Sequence, residues 1–322
     1  MKKILITGVA GFIGYHLAKK LIKKNYKIIG IDNLNDYYDP KLKKERLHQI
    51  KKKITFYKLN ILNYNLLEKI FKKYKPSIVI NLAAQAGVRY SLTNPKSYIS
   101  TNLLGFFNVI ELSKIYKVKH FIFASSSSVY GLNKKLPFKE TMKTDNVASI
   151  YGATKKSNEL IAHSYSHIHN LPCTGLRYFT VYGPWGRPDM ALFKFTKQII
   201  NQQKITVFNN GLMSRDFTYI DDITEYTFKI LNKIPNKSNI PFQIFNLGNK
   251  KPIKILKFIK ILENVLKKKA QIKYLNFQKT KIKNTSSNTN LLYKTLKIKK
   301  LTPIKIAITN FVKWYKMYYS KI

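Results

Sequence analysis

Through the first half of the chain, short apolar blocks alternate with longer stretches in which apolar residues recur at helical spacing. The blocks predict strands over residues 4–7, 27–31, 54–57, 77–82, 121–124 and 174–178. Helical spacing predicts helices over 12–24, 66–73, 98–116 and 151–169. This alternation reads as an α/β protein with a Rossmann-like, doubly wound parallel sheet. Past residue 178 the pattern loosens. A Gly/Pro/Trp loop over 183–188 is followed by helices over 192–202, 253–267 and 304–318, mixed with short strands. The expected organisation is a larger domain over 1–180 that returns over 215–235, with a smaller mixed α/β domain over 181–214 and 236–322. The Lys/Asn/Ser/Thr-rich stretch 279–290 predicts a surface loop.

Composition narrows the possibilities. The 322 residues are 45% hydrophobic and carry a formal net charge of +44. Five of the 59 basic residues are arginine, and the lysines are spread over the whole chain rather than gathered in a stripe. Solvated lysines of this kind imply no specific nucleic-acid partner, since no recognition helix, aromatic RNA-binding motif or zinc site accompanies them. Four arginines, Arg89, Arg177, Arg187 and Arg215, sit in or beside the motifs discussed below, where a planar fork suits phosphate or carboxylate. No apolar run is long enough to span a membrane. The start, Met1-Lys2-Lys3, leads straight into a strand and does not read as a signal peptide. The single cysteine, Cys173, fits a cytoplasmic setting and reads as a small buried apolar residue. The six histidines show no metal-ligand spacing, and His163, His167 and His169 read as surface or packing residues, so no metal is expected.

Thr7-Gly8-Val9-Ala10-Gly11-Phe12-Ile13-Gly14 joins the first strand to the first helix. Glycines at this spacing allow a tight turn and let a pyrophosphate approach the positive end of the helix. Asp32 ends the next strand, where a carboxylate accepts from ribose hydroxyls and repels a 2′-phosphate, favouring NAD over NADP. The larger domain is therefore read as NAD-binding. Far downstream, Tyr151 and Lys155 lie four apart on a helix and share a face. An ammonium there favours the phenolate of a tyrosine, otherwise a poor base at pKa ~10. A serine from the run 125–128 can bridge a substrate hydroxyl to that phenolate. Together these residues specify hydride chemistry at a carbinol carbon.

These residues resemble the extended short-chain dehydrogenase/reductase family of nucleotide-sugar epimerases and dehydratases, and within it the UDP-glucuronate 4-epimerases. The narrower resemblance rests on Asn35-Asp-Tyr-Tyr-Asp39, Ala83-Ala-Gln-Ala-Gly-Val-Arg-Tyr-Ser91, Ser125-Ser-Ser-Ser-Val-Tyr-Gly131, Thr180-Val-Tyr-Gly-Pro-Trp-Gly-Arg-Pro-Asp-Met190 and Arg215-Asp-Phe-Thr-Tyr-Ile-Asp-Asp222. It runs from residue 1 to about 230 and returns over 311–319. The resemblance implies a catalytic group of Ser126, Tyr151 and Lys155. It implies NAD contacts from Gly8, Gly11, Phe12, Ile13, Gly14, Asp32, Asn33, Asn60, Ile61, Leu82, Ala83, Ala84, Tyr151, Lys155 and Tyr178. It implies contacts to a UDP-sugar from Arg89, Ser127, Ser128, Thr180, Arg187 and Arg215, with Arg187 and Thr180 on a C6 carboxylate and Arg215 on the diphosphate. It further implies oxidation at C4, rotation of the 4-keto sugar and re-reduction on its other face, in a homodimer built on helices 98–116 and 151–169.

Absences sharpen the expectation. Related 4,6-dehydratases carry Asp-Glu just before the Val-Tyr-Gly triplet, and related decarboxylases a Glu, whereas this chain has Ser127 and Ser128. Oxidation at C4 is then not followed by elimination or loss of carbon dioxide. Asn60 replaces a usual aspartate at the adenine amino group and still offers an acceptor oxygen. Asn81 replaces a frequent histidine, without expected consequence. Residues 280–288 depart from the family pattern, with Lys281 reversing a charge near the nucleotide. The alternatives are a 4-epimerase of neutral UDP-hexoses and a non-catalytic NAD-binding relative.

Overall fold

The computed structural model describes residues 2–236, 238–276, 284–298 and 300–320. Two compact units are present. The first comprises residues 1–133, 140–178 and 224–246, and the second 134–139, 179–223 and 247–322.

Unit one is built on a seven-stranded sheet. Its strands are β1 (Lys3–Thr7), β2 (Lys27–Asp32), β3 (Thr55–Lys58), β4 (Ile78–Asn81), β5 (His120–Ser126), β6 (Cys173–Tyr178) and the Phe242–Leu247 strand. Across the sheet β3 is followed by β2, β1, β4, β5, β6 and the Phe242–Leu247 strand. From β3 to β6 every pairing is parallel. Helices cover both faces of such a sheet, so its central strands are apolar except at their ends; all of β4 is buried. Phe121 and Phe123 of β5 stack on each other, and both take the edge of Phe106 from the Gly105–Ile115 helix. The chain runs outward from β1 to β3 on one side, then crosses to β4 on the other. That reversal opens a crevice at the carboxyl ends of β1 and β4, the place where open α/β sheets bind ligands.

The expected strands and helices are present, with ends moved by a residue or two. Two helical regions differ from expectation. The Pro40–Ile50 helix is strongly polar and gave no apolar stripe, yet Asp39 caps it and Leu42, Lys43, Arg46, Leu47 and Ile50 are buried. The helix expected over 98–116 is instead a Pro95–Tyr98 turn, a π-helical stretch Ile99–Leu104 and an α-helix Gly105–Ile115. The widened turn carries Asn102, whose side chain is committed elsewhere, as described below. The Ile150–His169 helix starts where Ser149 Oγ accepts from Gly152 N (3.1 Å) and stops at Asn170 in the left-handed region.

Among its described residues, unit two holds three two-stranded pairings. Thr180–Tyr182 runs parallel to Phe217–Tyr219, and Ile205–Phe208 parallel to Ile272–Leu275. Ser214–Arg215 runs antiparallel to Ile253–Lys254. Its helices include Ala191–Ile200, Ile255–Leu266 and Ile304–Tyr319. The surface-loop expectation for 279–290 is corrected over its described part: Thr285, Ser286, Ser287 and Thr289 are buried. The reason is Asp216, fully buried, whose carboxylate draws in the hydroxyl and amide of Ser287 (2.6 and 2.9 Å). A string of small hydroxylic residues looks solvent-loving in sequence but serves here as a set of donors. Lys281 lies outside the described residues.

Candidate active site

The glycine loop sits at the carboxyl end of β1. Gly8 has φ +72, and a side chain there would meet Ala83 N at 2.8 Å. A side chain at Gly14 would lie 2.1 Å from Gly8 O. Gly8 is held in the left-handed region and Gly14 against the Gly8 carbonyl, so the loop packs tightly on the start of the Phe12–Ile22 helix only because neither residue has a side chain. The Phe12 side chain is buried against His16 and Ile13 is half-buried, and both stand in the first turn of the helix, whose backbone N–H groups have no partner within it.

Asp32 ends β2. Its carboxylate accepts from Ala10 N (3.0 Å) and Leu34 N (2.8 Å), which fixes its orientation beside the loop. Burial raises its pKa, while those amides and the nearby Lys43 and Arg46 pull it down. Asn33 turns the chain by accepting from Asn35 N. Asn60 Oδ1 accepts from Leu62 N (3.1 Å), which anchors the oxygen expected to meet an adenine in a local turn and leaves it a second lone pair. The Ile61 side chain belongs to the core and its carbonyl accepts from Asn108 Nδ2. Leu82 N and Ala83 N donate to Thr7 O and Thr7 Oγ1, and Ala84 follows them along the crevice. Thr7 Oγ1 in turn donates to Asn81 Oδ1. Asn81 therefore ties β4 to β1, a consequence its sequence position did not suggest.

At the end of β5, Ser126 Oγ accepts from Ser128 N (3.1 Å) and donates to Ser128 Oγ (3.2 Å). Ser127 and Ser128 are half-buried. Lys155 Nζ donates to Ala124 O (2.7 Å) and lies 6.0 Å from the centroid of the Tyr151 ring. The Tyr151 ring meets the buried Tyr98 edge-on at 6.0 Å. Tyr178 is buried with its hydroxyl 3.3 Å from Thr227 Oγ1. Arg89 is exposed at the start of the short Tyr90–Thr93 helix.

In unit two, Thr180 N donates to Asp216 O (3.1 Å). Arg187 makes a two-pronged ion pair with Asp189. Arg215 Nη1 donates to Ser214 O (2.8 Å), and burial pushes the Arg215 guanidinium down to about 10. Its neighbours in sequence are engaged elsewhere: Asp216 accepts from Asn249, Lys250 and Ser287, and Asp222 from Thr302.

Asn102 and Arg46 escaped the sequence reading. Asn102 brackets the backbone of Gln85 (2.8 and 3.0 Å) and also donates to Thr154 Oγ1 (3.1 Å), joining the loop after β4 to the Tyr151 helix. No sequence signal singled it out, since Ser100, Thr101 and Asn108 share the same helical run. Arg46, fully buried, donates to Ala10 O and to Tyr38 Oη. It braces the glycine loop against the 35–39 segment.

A profile of the NAD dependent epimerase/dehydratase family matches residues 4–248. The chain belongs to this family. Protein CapI of Staphylococcus aureus is 50% identical over 99% of this chain and all of its own length. UDP-glucuronate 4-epimerase 4 of Arabidopsis thaliana is 44% identical over 98% of this chain and 76% of its own. The crystal structure of UDP-glucuronic acid 4-epimerase from Bacillus cereus, in complex with UDP-glucuronic acid and NAD, superposes with a TM-score of 0.91 at 33% identity, covering 98% of this chain and 100% of that one. Close relatives are thus NAD-dependent nucleotide-sugar 4-epimerases, which are isomerases, and the chain is an enzyme of this UDP-glucuronate 4-epimerase-like class. Among its described residues no helix is long and apolar enough to cross a membrane.

The residues fit the family's cofactor. Gly8, Gly11 and Gly14 put no side chain between the end of β1 and the start of the Phe12–Ile22 helix, and Asp32 stands beside them as an anchored carboxylate, chemistry that suits a pyrophosphate and a ribose. Lys155 then has a predictable pH signature. Burial alone pushes its ammonium down to about 8. If the charged form is required, kcat falls as pH rises through about 8. Because the folded-state value is depressed, the associated stability runs the other way: it is present at high pH and lost as pH falls through about 8. A kcat–pH profile checks this. In Lys155→Arg, whose charge persists, the alkaline limb moves up; an unmoved limb would assign it to another group.

Proposed function

We propose that the chain interconverts UDP-glucuronate and UDP-galacturonate by 4-epimerisation. The observation that carries this is the Lys155–Ala124 hydrogen bond, which draws the Tyr151 helix onto the serine-bearing end of β5. Ser126 hydrogen-bonds the sugar 4-hydroxyl. Tyr151, as phenolate, takes its proton and later returns it to the 4-keto oxygen once the sugar has turned. Bound NAD supplies the hydride acceptor and donor at C4. Ser127 and Ser128 carry neither acid nor base, so the keto sugar is neither dehydrated nor decarboxylated. Thr180 and Arg187 donate to the C6 carboxylate, Arg215 clamps the diphosphate and Arg89 is a secondary contact.

Proton NMR of the purified protein with UDP-glucuronate and no added cofactor tests this. UDP-galacturonate without a xylose-type product supports it. No conversion, even with added NAD, rejects it. One observation favours a second reading, epimerisation of a neutral UDP-hexose: Asp189 already neutralises Arg187. UDP-glucose in the same assay separates the two, since turnover of UDP-glucose alone would select the neutral substrate.

The burial of Arg215 makes an anion a natural partner. Arg215→Met is expected to raise KM by about 10- to 100-fold, the loss of a hydrogen bond to a charged group, with a smaller change in kcat. An unchanged KM would remove Arg215 from substrate binding.

We also propose a homodimer. Ile99, Leu104 and Phe107 on one helical stretch, and Leu160 and Ile168 on the Ile150–His169 helix, are exposed apolar side chains of a kind that seeks a second copy. Light scattering should give twice the 37.6 kDa chain mass, and Leu104→Glu/Phe107→Glu should halve it. A monomeric wild type would refute the dimer.

A further inference from the structure

Among the described residues of unit one, a buried and heavily bonded ion pair lies behind the catalytic group rather than within it. Glu159 is one helical turn beyond Lys155 and two beyond Tyr151, so the three share a stripe of the Ile150–His169 helix. Arg177 Nε and Nη2 donate to Glu159 Oε1 and Oε2, each at 2.8 Å. Both side chains are 3% exposed. Ser125 Oγ donates to the same Oε1 at 2.6 Å. Ser125 is the register partner of Arg177 across β5 and β6 and immediately precedes Ser126. Arg177 Nη1 also donates to Tyr130 Oη (2.9 Å) and to Glu140 O (3.2 Å), and Tyr130 Oη donates to Asn246 Oδ1 (2.6 Å). One guanidinium thus holds the helix, the ends of two strands and the 127–130 turn in a single arrangement.

Apolar packing alone leaves a helix free to slide on a sheet by small amounts. The stripe removes that freedom at two consecutive residues of β5: Lys155 on Ala124 O and Glu159 on Ser125 Oγ. We propose that the Glu159–Arg177 pair is a positioning device that sets the register of the Tyr151 helix against the Ser126 end of β5, and so governs kcat rather than substrate affinity. A buried ion pair is a weak source of net stability, but the hydrogen bonds made by this one are directional where apolar contacts are not. The proposal deepens the epimerase reading and rests on it for the substrate used.

The test compares Glu159→Gln/Arg177→Met, which removes both charges together, with wild type. Expected are a melting temperature close to wild type, retained NAD, a KM within about threefold and a kcat lower by about 100-fold, the cost of a misplacement on the order of 1 Å. A folded, NAD-containing double variant with wild-type kcat would overturn the proposal. If the double variant does not fold, Ser125→Ala decides, since it deletes only the hydrogen bond between β5 and Glu159. Its kcat should fall about tenfold at unchanged melting temperature, and wild-type kcat there overturns the proposal equally. A readout independent of the sugar is the ultraviolet titration of the Tyr151 phenolate, taken as the difference from Tyr151→Phe. In the variants the phenolate should form at higher pH than in wild type; coincident curves count against the pair. Wild-type protein inert on UDP-glucuronate would reject the substrate reading alone and leave this titration to judge the pair.

Discussion

Replacing Tyr151 by Phe is expected to lower kcat by about 10³-fold, the worth of a positioned general base and acid, with KM and resident NAD little changed. The substitution deletes a single oxygen. The ring keeps its edge-on contact with Tyr98, and Lys155 keeps its hydrogen bond to Ala124 O, since neither uses the hydroxyl. The helix start is likewise preserved, because Ser149 caps it through Gly152 N. Binding and fold should therefore survive while proton transfer from the 4-hydroxyl does not. Residual turnover within about tenfold of wild type would mean that another group, Ser126 or a water, moves the proton. The measurement is the initial rate of epimer formation by NMR, with NAD content determined on the same sample.

Asp216→Ala is expected to cost about 3–5 kcal/mol of stability, because buried donors left without an acceptor lose ~1–3 kcal/mol each. The Asp216 carboxylate accepts from the backbone amides of Asn249 (2.6 Å), Lys250 (3.2 Å) and Ser287 (2.9 Å), and from the hydroxyl of Ser287 (2.6 Å). Those donors come from two separate stretches of chain, which the carboxylate joins and which also touch directly where Lys250 N donates to Ser287 Oγ (3.2 Å). Water does not readily replace it, since Asp216 is 0% exposed. For a unit of this size the loss corresponds to a fall in melting temperature on the order of 10 °C. Arg215 is the adjacent residue, so KM should rise as well. Asp216→Asn is the milder comparison: its single amide oxygen satisfies some of the donors and its NH₂ opposes others. A melting curve of Asp216→Ala superimposable on wild type would show that the donors find other acceptors.

Much of unit one was readable from the chain. Its strands are short, apolar and separated by helices, and parallel sheets covered on both faces demand that pattern. The glycine loop was readable because Gly8 and Gly14 occupy backbone that excludes a side chain, and Asp32 because a carboxylate at the tip of β2 has a specific electrostatic effect. The Pro40–Ile50 helix was not readable. Its inward face includes Lys43 and Arg46, so polar letters stand where burial is expected to write apolar ones. The π-helical stretch over 99–104 was equally hidden, since its buried side chain is the polar Asn102 and no apolar spacing marks it.

The substrate side divides differently. Arg187 and Arg215 stood out as arginines in a lysine-dominated chain, yet their surroundings belong to the fold: Asp189 pairs with the first, and burial depresses the second. Arg177 was noticed for the same reason and turned out to face Glu159. What the sequence determined by itself is whatever depends on neighbours along the chain: strand and helix periodicity, backbone that only glycine tolerates, and side chains spaced one helical turn apart. What only the tertiary structure decided is which distant groups satisfy one another: Thr7 with Asn81, Glu159 with Ser125 and Arg177, Asp216 with Asn249, Lys250 and Ser287. Buried polar groups must find partners to avoid a desolvation penalty of several kcal/mol, but the rule names no partner, and the choice is made only when the chain is folded.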